Sequence, residues 1–288
     1  MLSPEVVGAI LLGLLGLLVG SFLNVVIHRL PKMMDLRWAA ECAEFQAATE
    51  KQEMPLADVA PPTFNLMVPR SRCPHCGHAI RWFENIPVLS YIALKGGCSA
   101  CSAPISPRYP AVEVVSAALF AWCGWHWGLG WEALAWSGFA ASLLALACID
   151  WDTTLLPDDI TLPLLWAGLS AAGLGLTGTP LSSAVWGAVA GYLSLWLVYW
   201  AFKLVTGKEG MGYGDFKLFA ALGAWFGWQA LIPVILMASI LGAVVGIAIK
   251  LRGSLREGGY VPFGPFLGIA GLTAMIFGPS SILTAIGL

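Results

Sequence analysis

The sequence predicts an all-α polytopic membrane protein with about eight transmembrane helices and one small polar insert. Three observations support this fold class. Hydrophobic residues make up 58% of the 288 residues and charged residues only 11%, whereas a soluble domain carries about 25% charged residues. Long apolar runs recur along the chain. The positive charges fall into groups that are separated by these runs.

Eight apolar segments predict membrane spans, at residues 6–27, 111–127, 132–149, 160–177, 183–204, 218–229, 231–249 and 263–287. If the chain is threaded from an external N-terminus, all 15 Lys and Arg lie on one side. Positive loops stay in the cytoplasm, so this side is predicted to be cytoplasmic. The sixth segment is shorter than a hydrocarbon core of roughly 30 Å requires. We therefore expect it to be a short or partly re-entrant crossing.

The only long polar stretch sets the predicted domain boundaries. We predict a first transmembrane helix over 1–27, a cytoplasmic domain over 28–110 and a transmembrane domain over 111–288. A short amphipathic helix is predicted over 36–53. The polar domain has too few apolar residues for a large core, and a domain of this size usually needs a covalent or metal staple.

Four cysteines in the polar domain provide such a staple. Cys73 and Cys76 form one C-x2-C pair, Cys98 and Cys101 form a second, and 21 residues separate the pairs. Each pair is typical of one knuckle of a tetrahedral zinc site. Cytoplasmic thiols stay reduced, which favours a metal over disulfides. Four thiolates close the coordination shell, so the sequence predicts one structural zinc ion and no catalytic metal.

Two aspartates lie at the edges of predicted spans. Asp150 ends the run 132–149, and Asp215 closes the tetrad Gly-Tyr-Gly-Asp just before the sixth segment. An acid beside a span is costly to keep and is often functional. The topology, which was taken from Lys and Arg alone, places both acids at the cytoplasmic face. Two close carboxylates share a proton, so one can activate water while the other protonates a leaving amine.

Spacing alone leaves other interpretations of the two acids open. Asp215 can cap the helix that follows it, and Asp150 can pair with Lys217 or Lys208. The acids can also form the proton relay of a secondary transporter, although the internal repeat typical of such transporters is not visible. A further alternative is a zinc-bound scaffold that recruits a cytoplasmic partner, in which both aspartates are dispensable.

Five segments, in order and together with the cysteine pairs, resemble type IV prepilin peptidases over almost the whole chain. They are residues 20–31 (GSFLNVVIHRLP), 85–90 (NIPVLS), 105–113 (ISPRYPAVE), Ile149-Asp150 with Leu156-Pro157-Asp158, and the tetrad that ends at Asp215. The resemblance implies that Asp150 and Asp215 are the catalytic pair and that the four cysteines hold zinc. One departure is Ser102, which stands where the family often has glycine.

The resemblance implies a bifunctional enzyme of the bacterial inner membrane. Such enzymes cleave the basic leader of type IV prepilins and type II secretion pseudopilins at the cytoplasmic face. They then methylate the new N-terminal residue with S-adenosylmethionine. A leader peptidase without methyl transfer is the alternative within the family. The expected partners are these substrates and membrane lipid, without nucleic acid, and the oligomeric state stays open.

The methyltransferase site has no visible motif, because residues 28–113 contain no glycine-rich dinucleotide fingerprint. Family members with both activities carry the cysteine domain, so residues 28–113 are the candidate region. Glu113, at the mouth of the second span, is a candidate to polarise the substrate amine. It can equally pair with Arg108.

Overall fold

The computed structural model describes residues 3–49, 64–252 and 261–285. The end of the helix predicted over 36–53 and the last residues of the span predicted over 263–287 lie outside the described residues. So does most of the 36–68 segment beyond Thr49, for which the sequence suggests no function.

Ten α-helices occur in the described part of the chain: α1 (Pro4–Thr49), α2 (Leu89–Ala93), α3 (Arg108–Trp127), α4 (Trp131–Thr153), α5 (Asp158–Gly173), α6 (Leu181–Thr206), α7 (Tyr213–Phe226), α8 (Leu231–Leu251), α9 (Gly264–Phe277) and α10 (Pro279–Ala285). Short 3-10 helices lie at Trp82–Asn85 and Trp228–Ala230. The same residues contain two isolated β-bridges and no strand. The all-α prediction is confirmed.

Four helices of the described chain are long and apolar enough to cross a membrane, at Pro4–Gln46, Trp131–Thr153, Leu181–Thr206 and Trp228–Leu251. The other predicted spans coincide with shorter or less apolar helices. For example, α7 and α9 have 14 residues each, which at 1.5 Å per residue is about 21 Å and less than a hydrocarbon core. The structure therefore supports a membrane protein, and half of the predicted spans meet the criteria of length and composition.

The first helix differs from the prediction. It does not end at residue 27 but continues through Pro31 to Thr49. A proline removes one backbone hydrogen bond, yet the following residues, such as the segment from Lys32 to Glu44, are rich in strong helix formers. The helix predicted separately over 36–53 is thus the last part of α1 as far as the structure describes it.

Two glycines break apolar runs near the C-terminus. Gly227 has φ +82° and separates α7 from the short 3-10 helix that precedes α8. Gly278 has φ +81° and divides the predicted span 263–287 into α9 and α10. Residues with a side chain rarely adopt this left-handed conformation, so glycine allows both breaks.

The chain forms two compact units, one from Met1–Gly13 with Leu119–Leu288 and the other from Leu14–Ala118. In the first unit, α7 lies at the centre and is buried along most of its length, packed by α5 and α6. An aromatic cluster of Trp136, Phe139 and Trp225 continues this core. The indole N–H of Trp225 donates to the carbonyl of Leu164 at 2.9 Å. The second unit contains the four cysteines of the C-x2-C pairs, the long C-terminal part of α1 and the start of α3.

Candidate active site and metal centre

Asp150 lies in the last turn of α4, as the sequence predicts. The helix ends where Thr154 adopts a left-handed conformation with φ +57°, and the Thr154 N–H donates to the Asp150 carbonyl at 2.9 Å. Asp150 is only 5% exposed. A carboxyl group is thus held inside the protein at the end of one of the four candidate spans.

Asp215 lies in the first turn of α7, just after the N-cap Gly212. It is 7% exposed, and its Oδ1 accepts no hydrogen bond from the described residues. Gly214 allows this burial. A Cβ atom at Gly214 would lie 2.6 Å from the Cβ of Leu156, in the loop before α5. Real Cβ atoms do not approach other atoms so closely. Glycine therefore brings the tetrad against the segment that follows Asp150.

The two acids act on one another electrostatically. Asp215 lies outside the four candidate spans, and burial, followed by the charge of Asp150, raises the pKa of Asp215 from 3.8 to about 7. A hydrogen bond from the Gly212 backbone opposes this shift. The capping alternative is therefore present in part, but its effect on the pKa is smaller than those of burial and of Asp150. A carboxyl group whose pKa lies near neutrality and responds to the charge of a second carboxyl group is suited to general acid–base chemistry.

Lys217 forms an ion pair with Asp158. Its Nζ donates to both carboxylate oxygens of Asp158 at 2.7 Å. This ion pair joins the first turns of α5 and α7 on a partly exposed surface. One of the two cations that the sequence offers as partners of Asp150 is thus engaged elsewhere.

A cluster at the end of α6 holds the loop that leads to Asp215. The Lys203 Nζ donates to Glu209 Oε1 at 2.8 Å and to the Tyr199 hydroxyl at 3.2 Å. This bond to Lys203 lowers the pKa of Glu209. The ring of Tyr213, within the tetrad, lies 5.3 Å from that of Tyr199. In the sequence, Lys203 is only one of the positive charges that indicate the cytoplasmic side, and its position six residues before Glu209 is the one signal of the ion pair.

In the second unit, the four predicted cysteines come together. Their Sγ atoms all lie within 4.8 Å of one another. The distance is 3.8 Å between Cys73 and Cys101 and 4.0 Å between Cys76 and Cys98. In a tetrahedral site with Zn–S bonds of about 2.3 Å, neighbouring sulfurs lie about 3.8 Å apart. The cluster has the size that such a metal needs.

The two knuckles share one backbone pattern. In each, the N–H of the first cysteine donates to the carbonyl five residues later, and the N–H four residues later donates back to the first cysteine, all at 2.9 Å. The fourth residue after the first cysteine is Gly77 in one knuckle and Ser102 in the other, with φ of +72° and +58°. Ser102 thus occupies a left-handed position that costs an L-residue about 1–2 kcal/mol.

The nearby histidine His78 lies beside Glu84, with 3.3 Å between Nε2 and Oε2. The Arg81 N–H donates to the same carboxylate at 2.7 Å. This backbone hydrogen bond is the main reason that the pKa of Glu84 is lowered to about 2. The carboxylate therefore stays ionised and braces the turn between the knuckles.

Glu113 is buried at the start of α3, with 8% of its surface exposed. Its Oε2 accepts a hydrogen bond from the Val88 N–H at 2.8 Å. Val88 has φ +58°, an unusual conformation for a β-branched residue. Gly20 on α1 packs against the start of α3, because a Cβ atom at Gly20 would lie 2.7 Å from the Glu113 Cα. The carboxylate thus joins two of the segments that carry the family resemblance.

Arg29 is a buried residue whose structural role is not visible in the sequence. It is 8% exposed, and its two terminal nitrogens donate to the carbonyls of Asn65 and Pro69 at 2.9 and 2.6 Å. It therefore ties α1 to the segment before the first knuckle. Its position at the end of an apolar run is typical of a topological charge, and the sequence does not reveal its distant partners.

Comparisons with known proteins identify the family of the chain. Residues 14–127 match the bacterial peptidase A24 N-terminal domain, and residues 137–247 match the type IV leader peptidase family. Relatives named prepilin leader peptidase/N-methyltransferase match over 92% of this chain. Proteins of Stutzerimonas stutzeri and Pseudomonas aeruginosa are 54% and 52% identical, each covered over 89% of its length. A protein of Burkholderia pseudomallei is 54% identical, covered over 84%. No solved structure matches the chain. From these similarities, the chain belongs to the type IV leader peptidase family.

Proposed function

We propose that this chain is a membrane-embedded aspartic endopeptidase that removes the leader of type IV prepilins and type II secretion pseudopilins, and that it then N-methylates the product. The observation that carries the peptidase activity is the pair of buried acids Asp150 and Asp215, of which one acts electrostatically on the other. Relatives above 50% identity that are named for both activities support the bifunctional assignment.

Asp150 and Asp215 form the catalytic pair. Burial and mutual repulsion disfavour two ionised carboxylates, so the pair holds one proton near neutral pH. The ionised member takes a proton from the water that attacks the scissile carbonyl. The protonated member gives its proton to the amide nitrogen that leaves. The pair ends the reaction with one proton, as it began.

The reaction takes place at the cytoplasmic face of a bacterial inner membrane, in a multi-pass chain of about eight spans. The distribution of Lys and Arg supports this orientation. Helices occur at all eight predicted spans in the described residues, and four of these helices are long and apolar enough to cross a membrane, which supports a multi-pass chain. A prepilin consists of a basic leader followed by an apolar helix, so its scissile bond lies at the membrane interface. Asp150, at the end of an apolar helix, suits a substrate presented there.

Cys73, Cys76, Cys98 and Cys101 hold one structural zinc ion. The sulfur separations and the repeated knuckle support this assignment. When bound, the ion cross-links two distant parts of the cysteine domain and stabilises its folded form. The thiolates fill all four positions, so the residues of the domain, and not the metal, contact substrates.

Methyl transfer uses S-adenosylmethionine and takes place in the domain of residues 28–113. Glu113 is the candidate to contact the new N-terminal amine, because it is a buried carboxylate beside a strained backbone turn. A Glu113→Gln variant should cleave prepilin normally but methylate the product slowly. Equal loss of both activities would instead indicate that Glu113 has a structural role.

The central experiment is prepilin cleavage in liposomes with S-adenosylmethionine, read by mass spectrometry. Wild type should release the leader, and the mature pilin should gain the mass of one methyl group. Asp150→Asn and Asp215→Asn keep the side-chain size but cannot exchange the proton, so both should abolish cleavage in folded protein. If either variant cleaves normally, that residue is not catalytic. Cleavage without methyl gain would leave a peptidase alone.

A further inference from the structure

We propose that Gly264 is a positioning residue of the peptidase centre, because its missing side chain lets the first turn of α9 close against the carboxyl group of Asp150. The inference depends on the peptidase activity proposed above. It adds a third segment, distant in sequence from both acids, to the parts that set the catalytic geometry.

The contact between Gly264 and Asp150 leaves no room for a methyl group. A Cβ atom at Gly264 would lie 2.6 Å from Asp150 Oδ2 and 3.1 Å from its Cγ. Ordinary contacts of this kind begin near 3.5 Å. An alanine would therefore displace the carboxylate, or the start of α9, by roughly half an ångström or more.

Leu156 connects this contact to the second acid. Its Cδ1 lies 3.1 Å from the same hypothetical Cβ at Gly264, and its Cβ lies 2.6 Å from that of Gly214. Gly214 immediately precedes Asp215. Leu156 thus packs between Gly264, which contacts Asp150, and Gly214, which precedes Asp215. Crowding at Gly264 therefore affects the position of the two acids relative to one another.

The structure indicates that Gly264→Ala would affect catalysis more than folding. Gly264 does not adopt a left-handed φ, so alanine meets no backbone strain there. The atoms it would crowd most are the carboxyl group of Asp150, which can rotate away. Gly187 provides the contrast, because its Cβ would meet the backbone carbonyl of Gly223 at 2.2 Å, and backbone cannot rotate away.

A displacement of this size should be visible in the rate of cleavage. A misplacement of about 1 Å can cost about 100-fold in rate. We therefore expect kcat to fall about 10- to 100-fold in Gly264→Ala. Because the carboxyl groups act on the scissile bond in the transition state, KM should change by less than about threefold. A residue that only supports the fold would not give this separation of kcat from KM.

The test compares Gly264→Ala with Gly268→Ala, one turn further along α9. A Cβ at Gly268 meets its nearest neighbour at an ordinary 3.4 Å. Both full-length variants are assayed in liposomes for prepilin cleavage, for methyl transfer to a leader-free pilin, and for unfolding temperature. We expect Gly264→Ala to unfold within a few degrees of wild type, to methylate at the wild-type rate and to cleave slowly. Gly268→Ala should match wild type in all three.

Leu156→Ala, alone and combined with Gly264→Ala, identifies the atom that matters. If Asp150 is displaced, the double variant stays at least tenfold slower than Leu156→Ala alone. Recovery in the double variant would assign the loss to Leu156 and overturn the inference. So would normal cleavage by Gly264→Ala, or an unfolding temperature far below that of Gly268→Ala. If wild type itself does not cleave prepilin, the proposed function fails instead.

Discussion

A methyl group at Gly223 should separate α6 from α7 and disturb the helix that carries Asp215. In the structure, a Cβ at Gly223 would lie 2.2 Å from the carbonyl oxygen of Gly187 and 2.4 Å from its carbonyl carbon. Close approach of helices through small residues is typical of membrane proteins. Because the atoms in the way belong to backbone, the Gly223→Ala variant can accommodate its methyl group only by moving a helix.

The size of the effect follows from these distances. Carbon atoms in contact prefer a separation of about 3.5–4.0 Å, so the helices must part by more than about 1 Å at this point. Overpacking of this kind costs about 1–3 kcal/mol, which lowers the unfolding temperature by several degrees. Gly223 lies about two turns along α7 from Asp215, so a tilt of α7 also moves the acid. We expect cleavage to fall about tenfold or more.

Gly138→Ala is the matched control, because α4 carries the other acid and a Cβ at Gly138 has no neighbour within 4 Å. Replacing a glycine in the middle of a helix stabilises it by about 0.5–1 kcal/mol, so this variant should unfold at or above the wild-type temperature. Both variants are measured by thermal unfolding in detergent and by prepilin cleavage. A Gly223→Ala protein that unfolds and cleaves like Gly138→Ala would refute the reasoning.

Four further outcomes are expected. A strong chelator should release about one zinc ion per chain, measured by elemental analysis, and should lower the unfolding temperature of the cysteine domain. The absence of bound zinc from freshly purified protein would contradict the metal assignment. Ser102→Gly should stabilise this domain by about 0.5 kcal/mol, because relief of the left-handed φ at this position outweighs the greater entropy of glycine in the unfolded chain. The variant should therefore resist the chelator better than wild type. Unchanged resistance would argue against backbone strain at Ser102. Glu209→Gln should hardly change stability, because its partner Lys203 is partly exposed. However, kcat should fall, because the loop before the tetrad is held less firmly. An unchanged kcat would show that Glu209 does not position Asp215. The pKa of Asp215 rises from 3.8 to about 7 in the folded protein, so ionisation of Asp215 lowers the stability of the fold as pH rises through this window. Asp215→Asn should therefore unfold at a higher temperature than wild type at pH 8, and this difference should disappear near pH 4. A difference that stays constant with pH would contradict the shift.

The pattern of the sequence predicts the helices and the residues of both candidate sites. Apolar runs follow directly from solvation by lipid, so they locate α1 and the helices from α3 to α9. The C-x2-C spacing is typical of metal-binding knuckles, and the four cysteines do meet. The tetrad that ends at Asp215 also predicts a tight approach, which the structure shows at Gly214. These signals are local, because each depends on residues that are neighbours along the chain.

Tertiary structure alone decides which distant groups meet. The sequence does not show that Gly264 packs on Asp150, that Glu113 holds Val88, or that Arg29 reaches Asn65. Nor does it show that α1 continues past residue 27 or that Gly278 breaks the last helix. Hydropathy and charge determine that a segment enters the membrane and which end faces the cytoplasm. The register between two packed helices depends instead on side-chain and backbone contacts of a few ångströms, and those contacts determine which residues lie beside the acids.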